Sequence, residues 1–226
     1  MNKKDNFLER FERKWVFDSI DYNQLFILLN RSKFSFSNQF HDRQVNSIYF
    51  DDVYYSSIKQ NIEGISEKKK YRLRWYGDFK YIRNPIFEIK IKKEFQVIKK
   101  NFDLPNNIIF NLLNHNDIEK IELLINKNFN FINKIYPVLT THYLRSYFIS
   151  SNKLVRSTVD RNLKSLLLHK NRNLNIIKEY KDIILELKYD LNLDKYVRNN
   201  LSEMSARFSK NSKFVNAATI TPFSLA

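Results

Sequence analysis

The stretch KYRLRWYG, residues 70–77, carries two guanidinium groups two positions apart. Successive side chains of an extended strand alternate, so Arg72, Arg74 and Tyr76 share one face while Tyr71, Leu73 and Trp75 take the other. The second face is core material. The first suits phosphate, because a planar guanidinium grips phosphate oxygens bidentately and keeps its charge. Five further segments repeat the design. Glu12 and Lys14 oppose Phe11, Arg13 and Trp15; Glu88, Lys90 and Lys92 oppose Phe87, Ile89 and Ile91; Tyr143 aligns with Arg145; Arg156, Thr158 and Asp160 oppose Val155 and Val159; Glu186 and Lys188 oppose Leu185, Leu187 and Tyr189. Taken singly, each is a strand with one solvated face. Together the six faces hold eight cations, Lys14, Arg72, Arg74, Lys90, Lys92, Arg145, Arg156 and Lys188, with Glu12, Glu88 and Glu186 among them. If the sheet closes into a barrel, such an interior is tolerable only when it is wet and meets counter-charge, as in a tunnel for a polyanion. The glutamates then have two readings: oxygen ligands for Mg²⁺ or Mn²⁺, or ion-pair partners of neighbouring Lys and Arg.

Composition narrows the chemistry. The 226 residues carry 39 Lys and Arg against 24 Asp and Glu, a net charge of +15. Nucleic acid, a phosphate-rich small molecule or an anionic membrane surface would each complement that charge. Cysteine is absent, which removes disulfides, thiolate metal sites and cysteine nucleophiles and fits a reducing compartment. With only Gly64 and Gly77, neither a P-loop nor a GxGxxG turn can be written, so phosphates must be held by side chains. His41, His115, His142 and His169 show no metal-ligand spacing. The first residues lack the apolar run of a leader peptide, and no apolar stretch reaches membrane-spanning length. A cytoplasmic protein is expected.

The elements that must position these residues read as strands over 7–17, 45–51, 69–76, 85–94, 95–100, 139–149, 153–160 and 182–190. Helices are expected over 22–30 after an Asp21 or Ser19 cap, over 105–114 with a first-turn proline, over 117–135 from an aspartate start, and over 193–201. No linker, repeat or composition shift divides the chain, so one domain over 1–226 is expected. The class is α+β with a large antiparallel sheet or barrel.

The motifs ERK (12–14), IYFD (48–51), KKYRLRWYG (69–77), FEIKIK (87–92), VIKK (97–100), YLR (143–145), VRSTVD (155–160), ELKY (186–189) and KNSKF (210–214) occur in this order. In order and spacing they resemble the VTC domain, the polyphosphate polymerase domain of the vacuolar transporter chaperone complex, within the CYTH-like triphosphate tunnel superfamily. That resemblance implies an antiparallel β-barrel tunnel with helices packed outside. It also implies transfer of the terminal phosphoryl group of ATP to a growing polyphosphate chain with Mn²⁺ or Mg²⁺. Carried over by motif, Lys14, Arg72, Arg74, Lys90, Lys99, Arg145, Arg156, Lys210 and Lys213 look like phosphate ligands, and Lys188 joins them from its strand face. Ser212 looks like a hydroxyl donor, Tyr143 like a substrate-binding tyrosine and Glu186 like the metal ligand. The chain departs from the family where SKFVNAA lacks a glycine often found after the SK-aromatic motif. Fungal members carry regulatory and membrane-spanning domains, so the resemblance implies a separately encoded membrane protein as a partner here.

Two rivals share these features. Water in place of the polyphosphate acceptor would make the same tunnel a triphosphatase. A non-catalytic module for polyphosphate or nucleic acid could use the basic charge with 13 tyrosines and 19 phenylalanines as a stacking platform. The aromatics of the clearest strands largely oppose the arginines, which weighs against nucleic acid.

Overall fold

The computed structural model describes residues 10–93, 96–104, 109–168, 174–200 and 212–219. In chain order the elements are β1 (Arg10–Phe17), α1 (Tyr22–Arg31), β2 (Ser37–Asp51), α2 (Ser56–Ile62), β3 (Lys68–Tyr76), β4 (Tyr81–Ile82), β5 (Ile86–Lys93) and β6 (Gln96–Asp103). There follow β7 (Phe110–Asn111), α3 (His115–Asn128), β8 (Tyr136–Ile149), β9 (Arg156–Leu168), β10 (Leu174–Tyr180), β11 (Ile183–Asp190), α4 (Asp194–Asn200) and α5 (Lys213–Ala218). Nine strands form one antiparallel sheet in the order β1-β11-β9-β8-β2-β3-β5-β6, with β10 added to β9, while β4 pairs with β7.

Alternation along the strands divides this sheet into a wet face and a dry one. Trp15, Phe148, Val159, Leu185 and Leu187 lie on the dry face under α1, which buries Leu25 and Leu29 against them. Ile48, Leu73, Trp75 and Phe87 make the same layer under α3, which contributes Ile118, Ile121 and Ile125. Both helices begin at side-chain caps: Asp21 and Gln24 form a reciprocal capping box, and the Asn114 side chain accepts from the Asn116 amide.

The sheet curls around its wet face. Lys90 on β5 and Glu12 on β1 stand six strand spacings apart in sheet order, about 29 Å if the sheet were flat, yet their charged groups lie 3.9 Å apart. Among the described residues no ladder joins β6 to β1, so the tunnel closes through side chains across that seam. Register shifts in β2 and between β8 and β9 accompany the bend, as bulges do in strongly curved sheets.

Four expectations change, the first being the strand expected over 153–160, which starts at Arg156 and continues to Leu168; residues 7–9, 94–95 and 201 of other expected elements lie outside the described residues. Residues 109–114 contain no helix; Phe110 and Leu112 are buried on alternate positions and Phe110 pairs with Ile82, so period two prevails, and 105–108 lie outside the described residues. The helix expected over 117–135 starts at His115 on the Asn114 cap and ends at Asn128, after which the Asn126 side chain bonds the backbone of Ile135. The strand expected at 45–51 is the buried end of a longer β2, whose exposed first half has no apolar alternation to announce it. No helix among the described residues is long and apolar enough to cross a membrane.

Candidate active site

The wet face carries its charges in three groups, each built on a buried carboxylate. Glu88 on β5 is 2% exposed and sits opposite Arg72 in the β3 ladder. Its Oε2 accepts from Arg72 Nε at 2.8 Å, and its Oε1 lies 2.7 Å from an Arg74 guanidinium nitrogen and 2.8 Å from Lys99 Nζ. Burial alone would raise its pKa, but Arg72, Arg74 and Lys99 outweigh burial and hold it down at about 2.

Asp160 on β9 faces Arg145 on β8 in register and accepts from it bidentately, Nε to Oδ1 at 2.6 Å and Nη2 to Oδ2 at 2.7 Å. Lys213 Nζ reaches the same carboxylate at 2.5 Å. Against full burial, these two cations keep the Asp160 pKa below its ordinary value. Tyr143 completes the group: its ring carries Arg145 at 5.3 Å and Lys213 at 4.7 Å, and burial pushes its phenol up to about 12.

Glu186 on β11 lies between Lys188, 2.7 Å away, and Lys14 on β1, 3.3 Å away. Burial is again the largest influence on it, and Lys188, Lys14 and Arg145 overcome it to lower the pKa. Glu12 lies within 3.9 Å of Lys14 and Lys90 and 3.7 Å of Lys188, tying the third group across the seam.

Lys213 reaches this face because α5 lies on the sheet's concave side. Phe214 stacks on Tyr49 with centroids 4.9 Å apart, and Ala217 and Ala218 pack with Ile58, Val138 and Leu139. Ser212 caps α5 by accepting from the Val215 amide, and its hydroxyl also accepts from Lys70 Nζ at 2.9 Å. Lys70 stands on the same β3 face as Arg72 and Arg74, opposite Lys90. Burial, then Lys90, Lys14, Lys68 and Arg72, lower its pKa to about 7. An ammonium so crowded by like charge is a place where an anion belongs.

Among the buried side-chain atoms without a hydrogen-bond partner, which also include those of Ser157 and Thr140 on the dry face, two lie beside these groups. Arg74 Nε and Thr158 Oγ1 have no hydrogen-bond partner, although both belong to the wet face beside the Glu88 and Glu186 groups. Buried donors are seldom left unpaired, and a phosphate oxygen would satisfy either.

The geometry thus brings together Lys14, Arg72, Arg74, Lys90, Lys99, Tyr143, Arg145, Glu186, Lys188, Ser212 and Lys213. Arg156 is exposed at the end of β9, opposite Lys188, outside the three groups. Lys210 lies outside the described residues. Sequence reasoning did not single out Lys70, Asp160 or Glu88 as site residues. Lys70 had a signal in its even spacing from Arg72 and Arg74; Asp160 shared the strand face of Arg156; Glu88, like Glu12 and Glu186, makes the ion pairs that its strand face suggested.

The described residues contain no cluster of three or more His, Cys, Asp or Glu side chains able to hold a metal by themselves. Mg²⁺ and Mn²⁺ in phosphate chemistry commonly take one or two carboxylates and complete their shell with water and substrate oxygens. Glu186 and Glu12 offer hard carboxylate oxygens of the type such an ion takes, and both share Lys14 and Lys188 as ion-pair partners.

A curled antiparallel sheet with a basic, carboxylate-buttressed concave face and helices on its convex side defines a CYTH-like tunnel fold. Two solved structures share it at low identity. A candidate adenylate cyclase from Vibrio parahaemolyticus is 10% identical with a TM-score of 0.53, covering 93% of this chain and 99% of that one. A second, from Bacillus halodurans, is 13% identical with a TM-score of 0.51, covering 91% and 95%. Comparison with curated proteins gives no significant match. Residues 9–221 match the VTC domain, and the chain belongs to that family.

Proposed function

We propose that this protein is a polyphosphate polymerase that moves the γ-phosphoryl group of ATP onto an inorganic polyphosphate chain held in the tunnel. The observation that carries the reading is the convergence of Arg72, Arg74, Arg145 and Lys213 on buried carboxylates of one concave face, with Arg74 Nε left unpartnered there. Phosphoryl transfer spreads negative charge over peripheral oxygens in a loose transition state, so a fixed cationic cradle supplies most of what catalysis requires.

In this mechanism Arg72, Arg74 and Arg145 orient the triphosphate, with Arg156 at the end of β9 as an outer ligand. Their carboxylate partners fix each guanidinium plane before substrate arrives, which lowers the ordering cost at binding. A terminal oxygen of the acceptor chain forms a bond to the γ-phosphorus while the bond to the β,γ-bridging oxygen breaks, and ADP leaves with that electron pair. Lys213, with Lys210 from the preceding segment, neutralises the transferring group; Lys14, Lys90, Lys99 and Lys188 hold the chain, and Ser212 and Tyr143 position Lys70 and Lys213. Glu186 and Glu12 would hold Mn²⁺ or Mg²⁺, which supplies Lewis-acid neutralisation of phosphate oxygens when bound.

Incubation with ATP and Mn²⁺, with products separated by gel and ADP and free phosphate counted, tests the reading. Long polyphosphate with ADP and little free phosphate is expected. ADP with equal free phosphate would replace the polymerase by a triphosphatase, and salt-sensitive binding of single-stranded nucleic acid without turnover would replace both by a binding module.

A further inference from the structure

Building on the triphosphate reading, we infer that Arg43, Phe40, Tyr76 and Tyr147 form a subsite for the planar base of a nucleoside triphosphate, one rung beyond the phosphate cradle. Most large aromatics of the sheet, among them Trp75, Phe87 and Phe148, are buried on its dry side. These three rings instead gather around one cation. The Arg43 guanidinium lies 5.4 Å from the Phe40 ring centre, 5.5 Å from Tyr147 and 5.8 Å from Tyr76.

Its neighbours place this cluster against the cradle. Arg43 faces Arg145 across the β2 and β8 ladder, and Tyr76 follows Arg74 by two residues on the same β3 face, with the Arg74 guanidinium 5.3 Å from its ring. Two residues along a strand span about 7 Å, which leaves room for a sugar between a phosphate at Arg74 or Arg145 and a base at the rings. Register shifts on both sides of Phe40 re-aim its side chain, so that its ring meets Tyr147 edge-on at 5.9 Å.

The groups are also free to take a ligand. Phe40 is 49% exposed and Tyr76 37% exposed, so each presents ring surface to solvent. The adjacent carboxylate of Asp42 is taken by Arg161 at 2.6 Å, and no ion pair among the described residues includes Arg43. A cation among partly exposed aromatic rings, with guanidinium donors beside them, suits a flat heteroaromatic base that stacks and accepts hydrogen bonds. Inorganic tripolyphosphate would fill the cradle and leave this corner empty.

The test is calorimetric binding of ATP and of inorganic tripolyphosphate to the wild type and to Tyr76→Ala, Arg43→Gln and Tyr76→Phe. The wild type should bind ATP more tightly than tripolyphosphate. Tyr76→Ala and Arg43→Gln should each weaken ATP about tenfold, as loss of a base stack does, and change tripolyphosphate by less than about twofold. Tyr76→Phe keeps the ring and should retain ATP affinity. Equal loss of both ligands, or loss of neither, would overturn the subsite while the triphosphate reading stands, as would wild-type affinity for tripolyphosphate equal to that for ATP. Failure of the wild type to bind either ligand would overturn the triphosphate reading itself and the subsite with it.

Discussion

Lys70 is the tunnel residue whose charge state is most open to its surroundings. In the free protein burial and the cations Lys90, Lys14, Lys68 and Arg72 lower its pKa to about 7 from the ordinary 10.5. Because the unfolded chain holds this proton more tightly, the group contributes a rise in stability as pH climbs from about 7 towards 10.5. A polyanion beside Nζ reverses the imbalance, so tripolyphosphate binding near pH 8 should take up most of one proton. Calorimetry in two buffers of different protonation enthalpy measures this, and the uptake should vanish in Lys70→Gln; uptake unchanged in that variant would assign the proton elsewhere. Glu88 has the opposite sign. With its pKa depressed to about 2 from 4.5, its contribution is complete above 4.5 and disappears as pH falls through about 2. Glu88→Gln leaves Arg72 and Arg74 without their carboxylate and should cost about 3–5 kcal/mol of stability at neutral pH. Added tripolyphosphate should restore more of that loss than it adds to the wild type, read as a shift in thermal midpoint.

At the level of elements, the short α5 has an influence beyond its size. It is fixed by Phe214 on Tyr49, by the Ser212 cap that Lys70 reaches, and by the Tyr180 hydroxyl donating to the Asn216 carbonyl. Phe214→Ala removes a buried ring worth about 3 kcal/mol or more. It should release α5 and carry Lys213 away from Asp160. Turnover should fall at least a hundredfold, and hydrogen exchange should accelerate in 215–218 while β8 and β9 stay protected; protection lost throughout would make α5 part of the common core instead. The period-two strands were legible in the sequence because one face is core and the other polar. So was the shared face of Arg72, Arg74 and Lys90, since register preserves alternation across a ladder. The helix α5 was not, for KFVNAA is too short to show a helical stripe and its burial depends on strands far away in sequence. The capture of Asp160 by both Arg145 and Lys213 was hidden for the same reason, because no local spacing encodes a contact between β9 and a segment some fifty residues later. Within 109–114, the helix suggested by the preceding proline gives way to the pairing of Phe110 with Ile82 beneath α3.

For the whole molecule, part of the excess of positive charge has a local address. The concave face concentrates Lys14, Lys70, Arg72, Arg74, Lys90, Lys99, Arg145, Lys188 and Lys213 around four carboxylates, so a polyanion displaces small counter-ions when it enters. Polyphosphate affinity should fall roughly a thousandfold between about 50 and 200 mM salt, the dependence expected for about six phosphate contacts. A flat response would mean that the cations serve the fold alone. The chain order of the elements adds a matter of timing. The eleven strands of the described residues all precede α5, and a ribosome delivers the N-terminal side first. On the proposed reading, Lys213, the cation that shares Asp160 with Arg145, therefore joins a sheet whose strands have already been made.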